Sequence, residues 1–313
     1  MADWAIEADG LTRAFGPVLA VEGVSLRIPR GHVFSLLGPN GAGKTTTVRL
    51  LTTLLAATAG EARVAGHDVR TEALAVRAKV GLLTEVPGLY ESLSAWRNLE
   101  FYAELHGLDG SRRDARIRAV LERLGIWERR EARVATFSKG MKQKIAIARA
   151  LVHEPEVLFL DEPTASLDPE SAQVVRDFIR ESRAEGTTVF LNTHNLHEAE
   201  RVSDAVAILR GRVLATGSPQ ELARSLWPSR TAVRLRSVTP AVIEAARGAR
   251  GVVEAVSQGE LLQLELEDPA RDTPAAVTAI VQAGGEVLGV GESEHTLEEV
   301  YLRLVRSAKE AAA

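Results

Sequence analysis

Cysteine is absent from this sequence of 313 residues, and an excess of positive charge is absent as well. Without cysteine there is no disulfide framework and no thiolate metal site, which suits a reducing compartment. The 38 Lys and Arg residues stand against 42 Asp and Glu residues, a formal charge of −4. No global positive field therefore predicts a nucleic-acid partner or an anionic membrane as a binding surface.

Long apolar runs are also missing. No uncharged apolar run approaches the ~20 residues that cross a bilayer. The first residues, Met1–Trp4, lack the basic and apolar parts of a secretory signal. We therefore expect a chain that is neither exported nor membrane-spanning by itself.

The composition, with 45% hydrophobic and 26% charged residues, is that of a globular protein of about two domains. Residues 31–37 predict a strand that ends in a glycine-rich turn, and helical spacing follows from Thr46 to Leu55. The short apolar runs Val157–Leu160 and Val189–Leu191 are typical of strands buried in a parallel sheet. Helical periodicity replaces strand signals over about residues 87–152. We predict an α/β domain over residues 1–226 with a helical insertion.

A second pattern starts after Trp227–Ser229 and predicts a domain over residues 231–313. Its apolar segments follow the order β-α-β-β-α-β, the split βαβ arrangement of ferredoxin-like α+β domains. A last helix is predicted from residues that share one face: Leu297, Val300, Tyr301, Leu304 and Val305. Since this domain shows no cluster of catalytic side chains, we expect regulation or dimer support from it.

The segment Gly38–Thr45 fits the pattern G-x-x-x-x-G-K-[ST] between a predicted strand and a predicted helix. Backbone N–H groups of such a turn, aimed by the positive end of the helix, bind a triphosphate. Lys44 adds a cation between the β- and γ-phosphates, and the Thr45 hydroxyl is suited to Mg²⁺. The residues predicted to bind the nucleotide here are Gly38, Pro39, Asn40, Gly41, Ala42, Gly43, Lys44, Thr45 and Thr46.

Two carboxylates, Asp161 and Glu162, follow the apolar strand Val157–Leu160. Asp161 at the tip of the strand is predicted to hold Mg²⁺ opposite Thr45, and Glu162 to polarise the attacking water. An acidic pair after a strand is also a common helix cap. The phosphate loop in the same chain favours the catalytic interpretation.

Over about residues 4–225 the motifs resemble those of an ATP-binding subunit of an ABC transporter. Asp161–Thr164 and Ser166–Asp168 resemble the second acidic motif and the D-loop of that family. Phe137–Met141 resembles the signature sequence at the head of a helix, and Thr193-His194 fits the switch histidine. The resemblance implies that ATP and Mg²⁺ are the cofactors and that the chain is an ATPase.

The resemblance also implies roles for single residues. Ser138 and Gly140 would bind a γ-phosphate from the tip of their helix, although a serine there is also a plain helix cap. His194 would hydrogen-bond the γ-phosphate and act in catalysis with Lys44 and Glu162. Phe15 would stack on adenine, or else belong to the core.

Three positions depart from the family pattern. Glu85 stands where the family usually has Gln. It can still meet Mg²⁺, but it adds negative charge beside the triphosphate. In the signature, Lys139 puts a cation near the anion site and Met141 removes an amide. Contact with the nucleotide through Ser138 and Gly140 is expected to survive these two departures.

By resemblance, the complete site needs the phosphate loop of one subunit and the signature of a second copy or homologous subunit. Transport then requires a separate integral membrane permease, which places the chain at the cytoplasmic face of the membrane. Pro87–Tyr90 and Trp96 are candidates for the permease contact, or Tyr90 and Trp96 are core aromatics. The tail Thr296–Tyr301 resembles drug and antibiotic exporters.

Two other classes of function stay open at this point. One is a soluble relative that acts on ribosomes or DNA. The single cassette, the lack of heptads and the lack of a basic stripe argue against it. The other is a phosphoryl-transferring kinase, which the signature and D-loop make unnecessary.

Overall fold

The structure is a computed structural model that describes residues 3–165, 167–226, 230–293 and 295–310. It divides into two compact units, Met1–Ser218 and Pro219–Ala313. The helix Pro219–Leu226 belongs to the second unit, whereas the sequence pattern places it at the end of the first domain. The predicted junction Trp227–Ser229 and Ser166 of the D-loop lie outside the described residues.

An antiparallel sheet of four strands forms one layer of the first unit. Its strands are β1 (Trp4–Phe15), β2 (Val18–Pro29), β4 (Ala59–Val64) and β5 (His67–Asp68). They pair in the order β2-β1-β4-β5. The long strands β1 and β2 carry several register shifts, so their apolar residues do not alternate strictly along the chain.

A six-stranded sheet forms the second layer. Its strands are β3 (Val33–Leu37), β6 (Val80–Leu83), β7 (Val157–Asp161), β8 (Thr188–Thr193), β9 (Ala205–Arg210) and β10 (Arg212–Gly217). They lie in the order β10-β9-β3-β8-β7-β6, and all pairs are parallel except β10 with β9. β3, β7 and β8 are buried at every position, as the apolar runs predicted.

Two helices, α6 (Pro169–Ala184) and α7 (Leu196–Val202), connect strands within this sheet, and two more, α1 (Lys44–Leu51) and α2 (Ala73–Lys79), lie on the connections to and from the antiparallel sheet. α1 ends earlier than the predicted Leu55 because Thr53 adopts a φ of 61°, which an α-helix does not accommodate. Between the two sheets, three rings from neighbouring strands meet: Phe34 and Phe190 have centroids 5.5 Å apart, and Phe159 and Phe190 5.3 Å. The two sheets thus share one apolar core.

The helical insertion lies between β6 and β7. It contains α3 (Ala95–Leu105), α4 (Gly110–Arg123) and α5 (Lys139–Leu151), with 3₁₀ turns at Trp127–Arg129 and Val134–Thr136. Its apolar faces form a second core that continues onto the parallel sheet. Across the described ranges, no helix has both the length and the apolar character to cross a bilayer.

The second unit begins with α8 (Pro219–Leu226) and ends with α11 (Leu297–Glu310). Between them the order is β11 (Arg230–Leu235), α9 (Pro240–Arg247), β12 (Val252–Gln258), β13 (Leu261–Leu266), α10 (Pro269–Gln282) and β14 (Val287–Ser293). The antiparallel sheet has the order β12-β13-β11-β14, as in ferredoxin-like domains. The predicted split βαβ arrangement is confirmed.

Candidate nucleotide-binding site

The phosphate loop lies between the end of β3 at Leu37 and the start of α1 at Lys44. Gly43 caps α1 with a φ of 97°, in the left-handed region that favours glycine. A Cβ atom at Gly43 would lie 2.4 Å from the Ala20 carbonyl oxygen. The loop therefore requires glycine here, both for its conformation and for its close approach to neighbouring backbone.

Lys44 is folded over the loop. Its Nζ atom donates hydrogen bonds to the carbonyl oxygens of Gly38 at 2.8 Å and Pro39 at 3.2 Å, and the residue is 7% exposed. Burial lowers the pKa of Lys44, while the charges of Glu162 and Asp161 act in the opposite direction. The ammonium group is thus held beside the loop amides, where a phosphate would meet it.

Asp161 ends β7 beside Thr45, whose hydroxyl donates to Asp161 Oδ2 at 3.3 Å. On the neighbouring strand, Asn192 stands directly opposite Asp161 in the register, and its Nδ2 donates to Asp161 Oδ1. Burial raises the pKa of Asp161, and the charges of Glu162 and Glu85 add to this. Asn192 was not among the residues predicted from the sequence, although its place two residues before His194, at the end of a strand, is a signal.

Glu162 and His194 form a pair. His194 Nδ1 lies 2.7 Å from Glu162 Oε1, and the Thr193 hydroxyl lies 3.4 Å from Oε2. Glu162 has a φ of 50°, which is uncommon for a residue with a side chain, and its backbone N–H donates to the Asn192 carbonyl at 2.8 Å. The turn after β7 therefore points this carboxylate toward the loop after β8.

One cavity of about 440 Å³ brings most of the predicted residues together. Glu85, which is exposed, lies on its wall. The lining consists of the phosphate loop, the two carboxylates and the ends of the neighbouring strands: Ala20, Asn40, Gly41, Ala42, Gly43, Lys44, Thr45, Thr46, Glu85, Asp161, Glu162, Ala165, Asn192 and His194. Gly38 and Pro39 adjoin it through their bonds to Lys44.

Three of the predicted residues are not among the residues that line this cavity: Phe15, Ser138 and Gly140. Phe15 is 45% exposed at the end of β1, so it is not a core residue. The guanidinium group of Arg13 lies 4.6 Å from the centroid of the Phe15 ring. One end of the chain's first sheet thus presents an aromatic surface with an adjacent cation.

Ser138 caps α5 by accepting a hydrogen bond from the Met141 N–H at 3.2 Å. Ser138 and Lys139 are exposed, whereas a Cβ atom at Gly140 would lie 2.5 Å from Ser171 Oγ. Glycine therefore lets the start of α5 pack against the start of α6, which leaves the serine at a solvent-facing helix tip.

The oxygen atoms around Thr45 suit Mg²⁺. This ion takes about six oxygen ligands and commonly keeps water and substrate phosphates among them. Thr45 and Asp161 supply two such oxygens side by side, and Glu85 is a third donor on the same cavity. Within the described ranges no group of three His, Asp or Glu side chains is placed to hold a metal by itself. An ion here would therefore depend on phosphate and water ligands, which is the usual pattern for Mg²⁺ with a nucleotide.

Three features define a P-loop nucleoside triphosphatase: a glycine loop between a parallel strand and a helix, a lysine folded over it, and a carboxylate at the end of a second parallel strand, one strand removed from the first. Comparison with known proteins narrows this class. The family described as ABC transporter matches residues 21–165. The daunorubicin resistance ATP-binding protein DrrA3 of Streptomyces coeruleorubidus is 40% identical over 316 residues, and the alignment covers 100% of both chains. The chain belongs to the ATP-binding subunits of ABC transporters.

Two further comparisons agree. The linearmycin resistance ATP-binding protein LnrL of Bacillus subtilis (strain 168) is 31% identical over 306 residues, which cover 96% of this chain and 97% of that protein. A solved ATP-binding subunit of an ABC transporter aligns with a TM-score of 0.66 and 31% identity, covering 71% of this chain and 93% of the other. The chain is an ATP-binding ATPase related to the subunits of drug-resistance exporters, as the motifs predicted.

Proposed function

We propose that this chain works as a dimer, with a second copy or a homologous subunit, around two Mg·ATP. The observation that supports this most is the solvent-facing tip of α5. Ser138 is exposed and lies outside the cavity that the phosphate loop lines in its own subunit. A partner's nucleotide can therefore reach it, and each site would combine the loop of one chain with the signature of the other.

Thr45 and Asp161 would hold the ion, with Glu85 as a further ligand, and the ion would neutralise charge on the β- and γ-phosphates. Lys44 supplies a fixed cation to the same oxygens. Glu162 orients and polarises the attacking water, and His194 holds Glu162 from the opposite side. Catalysis is then mostly positioning and charge stabilisation within a preorganised site. Hydrolysis removes the γ-phosphate contacts that favour the closed dimer, so the dimer reopens.

The proposed partner is an integral membrane permease, which this chain would contact through Pro87–Tyr90. Tyr90 is 47% exposed, and its ring packs edge-on against Phe101 with centroids 5.4 Å apart. Arg149 of α5 donates to the Pro87 carbonyl at 2.6 Å. The segment is therefore hydrogen-bonded to α5, the signature helix, which begins within the signature sequence. Trp96 instead packs against Trp127 at 6.2 Å and joins the insertion core, which favours the alternative interpretation for that residue.

The cargo is proposed to be a drug, an antibiotic or a similar small molecule that is exported. Support comes from the names of the relatives, which are resistance proteins for daunorubicin and linearmycin. The chain would then sit at the cytoplasmic face of the cell membrane, held there by the permease. No nucleic acid is expected as a partner.

The test uses the variant Glu162→Gln, with Glu170→Gln as a matched control. Glu170 is an exposed carboxylate at the start of α6. We expect Glu162→Gln to lose hydrolysis by about a hundredfold or more while it still binds ATP, and to sediment with Mg·ATP at twice the 33.7 kDa of the chain. Hydrolysis at the wild-type rate would overturn the assignment.

The partner is tested by affinity purification of a tagged full-length chain from membranes of its own host. We expect a polytopic membrane protein to copurify in stoichiometric amount. Ribosomes or DNA in its place would support the soluble alternative and contradict the transport role.

A further inference from the structure

Glu198 is a buried carboxyl group near the site to which the proposed mechanism gives no role. It lies in α7, the helix that begins directly after the loop with His194, and it is 2% exposed. Burial raises its pKa, partly offset by a hydrogen bond from Thr164. Burial of a carboxyl group is unfavourable for folding unless hydrogen bonds and opposite charges compensate for the lost water.

The shortest polar contact of the Glu198 carboxyl group is with Thr164. The Thr164 hydroxyl donates to Glu198 Oε2 at 2.7 Å. Oε1 has no hydrogen-bond partner within the geometric limits among the described residues. The charge of Arg176 and the nearby Thr193 hydroxyl lower the pKa of Glu198, whereas the charge of Glu162 raises it. The main polar contact of Glu198 therefore reaches back to the segment that follows β7.

That segment carries Glu162 in an unusual backbone conformation. Thr164 stands two residues after Glu162, whose φ of 50° persists only if the surroundings hold it. The Ala165 N–H donates to the Glu162 carbonyl at 3.1 Å and closes a tight turn. Gln143 of the signature helix donates to the Pro163 carbonyl at 2.7 Å. The turn is thus held by α5 on one side and by Glu198 of α7 on the other.

We propose that Glu198 is a positioning residue for hydrolysis: through Thr164 it fixes the turn that carries Glu162 and so keeps the Glu162 carboxylate beside His194. The turn makes two contacts on this side: Thr164 with Glu198 in α7, and Glu162 with His194 in the loop before α7. Movement of the turn relative to α7 would separate the Glu162–His194 pair, although neither Glu198 nor Thr164 lines the cavity. This inference rests on the proposed role of Glu162.

The test is a double-mutant cycle in the full-length chain, read by steady-state ATP hydrolysis. Glu198→Ala and Thr164→Val each remove one partner of the bond, and Glu198→Gln and Thr164→Ser each keep it. We expect the first two to lower kcat by about tenfold, with KM for ATP changed less than about twofold, because the phosphate loop is untouched. The conservative variants should stay within about threefold of wild type. His197→Ala, an exposed change in the same helix, is the control.

In the double variant Glu198→Ala/Thr164→Val, kcat should fall no further than in the worse single variant, since both remove one bond. Three results would overturn the proposal. The first is a double variant whose loss of kcat is the product of the two single losses, and the second is a KM for ATP that rises as kcat falls. The third is a Glu198→Ala activity equal to that of His197→Ala. If Glu198→Ala does not fold, Thr164→Val and Glu198→Gln still decide: the inference requires the first to be slow and the second to be active. If Glu162→Gln hydrolyses ATP normally, the proposed role of Glu162 fails first. If Glu162→Gln is inactive and the cycle is additive, only this inference fails.

Discussion

His194 and Glu162 form one hydrogen-bonded pair, with Nδ1 of the ring 2.7 Å from Oε1 of the carboxylate. Because a carboxylate accepts, Nδ1 must carry the proton. Nε2 then donates to a phosphate oxygen only when the ring holds both protons, and otherwise it accepts. The sequence motifs predict separate roles for these two residues, whereas the structure couples the orientation of one to the other.

Replacement of His194 by alanine should therefore act on kcat through Glu162. We expect kcat to fall by about ten- to a hundredfold and KM for ATP to change by less than about threefold. Steady-state hydrolysis by the purified chain measures both. A variant that loses ATP binding to the same extent as hydrolysis would show that His194 acts on the nucleotide alone.

Phe15 should contribute to ATP affinity and little to folding, because its ring is 45% exposed. We expect Phe15→Ala to weaken binding of a fluorescent ATP analogue by about tenfold, and Phe15→Tyr to retain it, since stacking on a base contributes about 1–3 kcal/mol. The melting temperature should stay within about 2 °C of wild type. Equal affinities of the alanine and tyrosine variants would exclude adenine stacking at this ring.

Glu85 should weaken binding of ATP when no divalent ion is present. The negative charge of Glu85 helps to raise the pKa of Asp161. Because Glu85 lines the same cavity, its charge should also repel a bound triphosphate. Glu85→Gln keeps an oxygen ligand and removes the charge. We expect Mg²⁺-free ATP to bind about threefold tighter, with a smaller change in Mg²⁺. The control is Glu91→Gln, a substitution of an exposed glutamate outside the cavity. It should leave ATP binding unchanged both without and with Mg²⁺.

His153 should make the fold sensitive to acid. Burial, together with the stacked ring of His106 and the charge of Arg116, lowers the pKa of His153 to about 4, against about 6.5 in an unfolded chain. Between these values the unfolded chain binds more protons, so the free energy of unfolding falls as pH falls through this window. Nε2 donates to the Val80 carbonyl at 3.0 Å, a bond that glutamine can imitate.

The measurement is urea unfolding of wild type and His153→Gln at pH 7.5 and pH 5. Wild type should lose about 1–2 kcal/mol more than the variant between these two values. An equal loss in both proteins would mean that His153 does not control stability in this range.

Local patterns in the sequence were enough to predict the elements that frame the site. The strand before the phosphate loop, the buried strands β7 and β8 and the β-α-β-β-α-β order of the second unit follow from runs and periods within short segments. β1 was not predicted, because register shifts break the alternation of its apolar residues. β2 was not predicted either, although Val24, Leu26 and Ile28 alternate with exposed residues and so carry a strand signal. The conformation of Thr53, which ends α1, depends on its surroundings and has no local signal.

The contacts within the site depend on which strands are neighbours, and this is set by the whole fold. Asn192 meets Asp161 only because β7 and β8 lie side by side in a fixed register, 31 residues apart in the chain. The bond between Thr164 and Glu198 spans 34 residues in the same way. The exposure of Phe15 and Ser138 is likewise a result of tertiary packing. The residue types suggested roles for Phe15 and Ser138, and the fold decides whether these side chains are accessible to a ligand.

The central claim is that each ATP site is shared between two chains, and complementation tests it most directly. Lys44→Ala damages the phosphate loop and Ser138→Arg blocks the exposed helix tip, so each variant alone should be inactive. In an equal mixture, half of the dimers are mixed, and each mixed dimer has one intact site. We predict that the mixture recovers about a quarter of the wild-type ATPase rate. A mixture that stays as inactive as the separate variants would contradict the shared site.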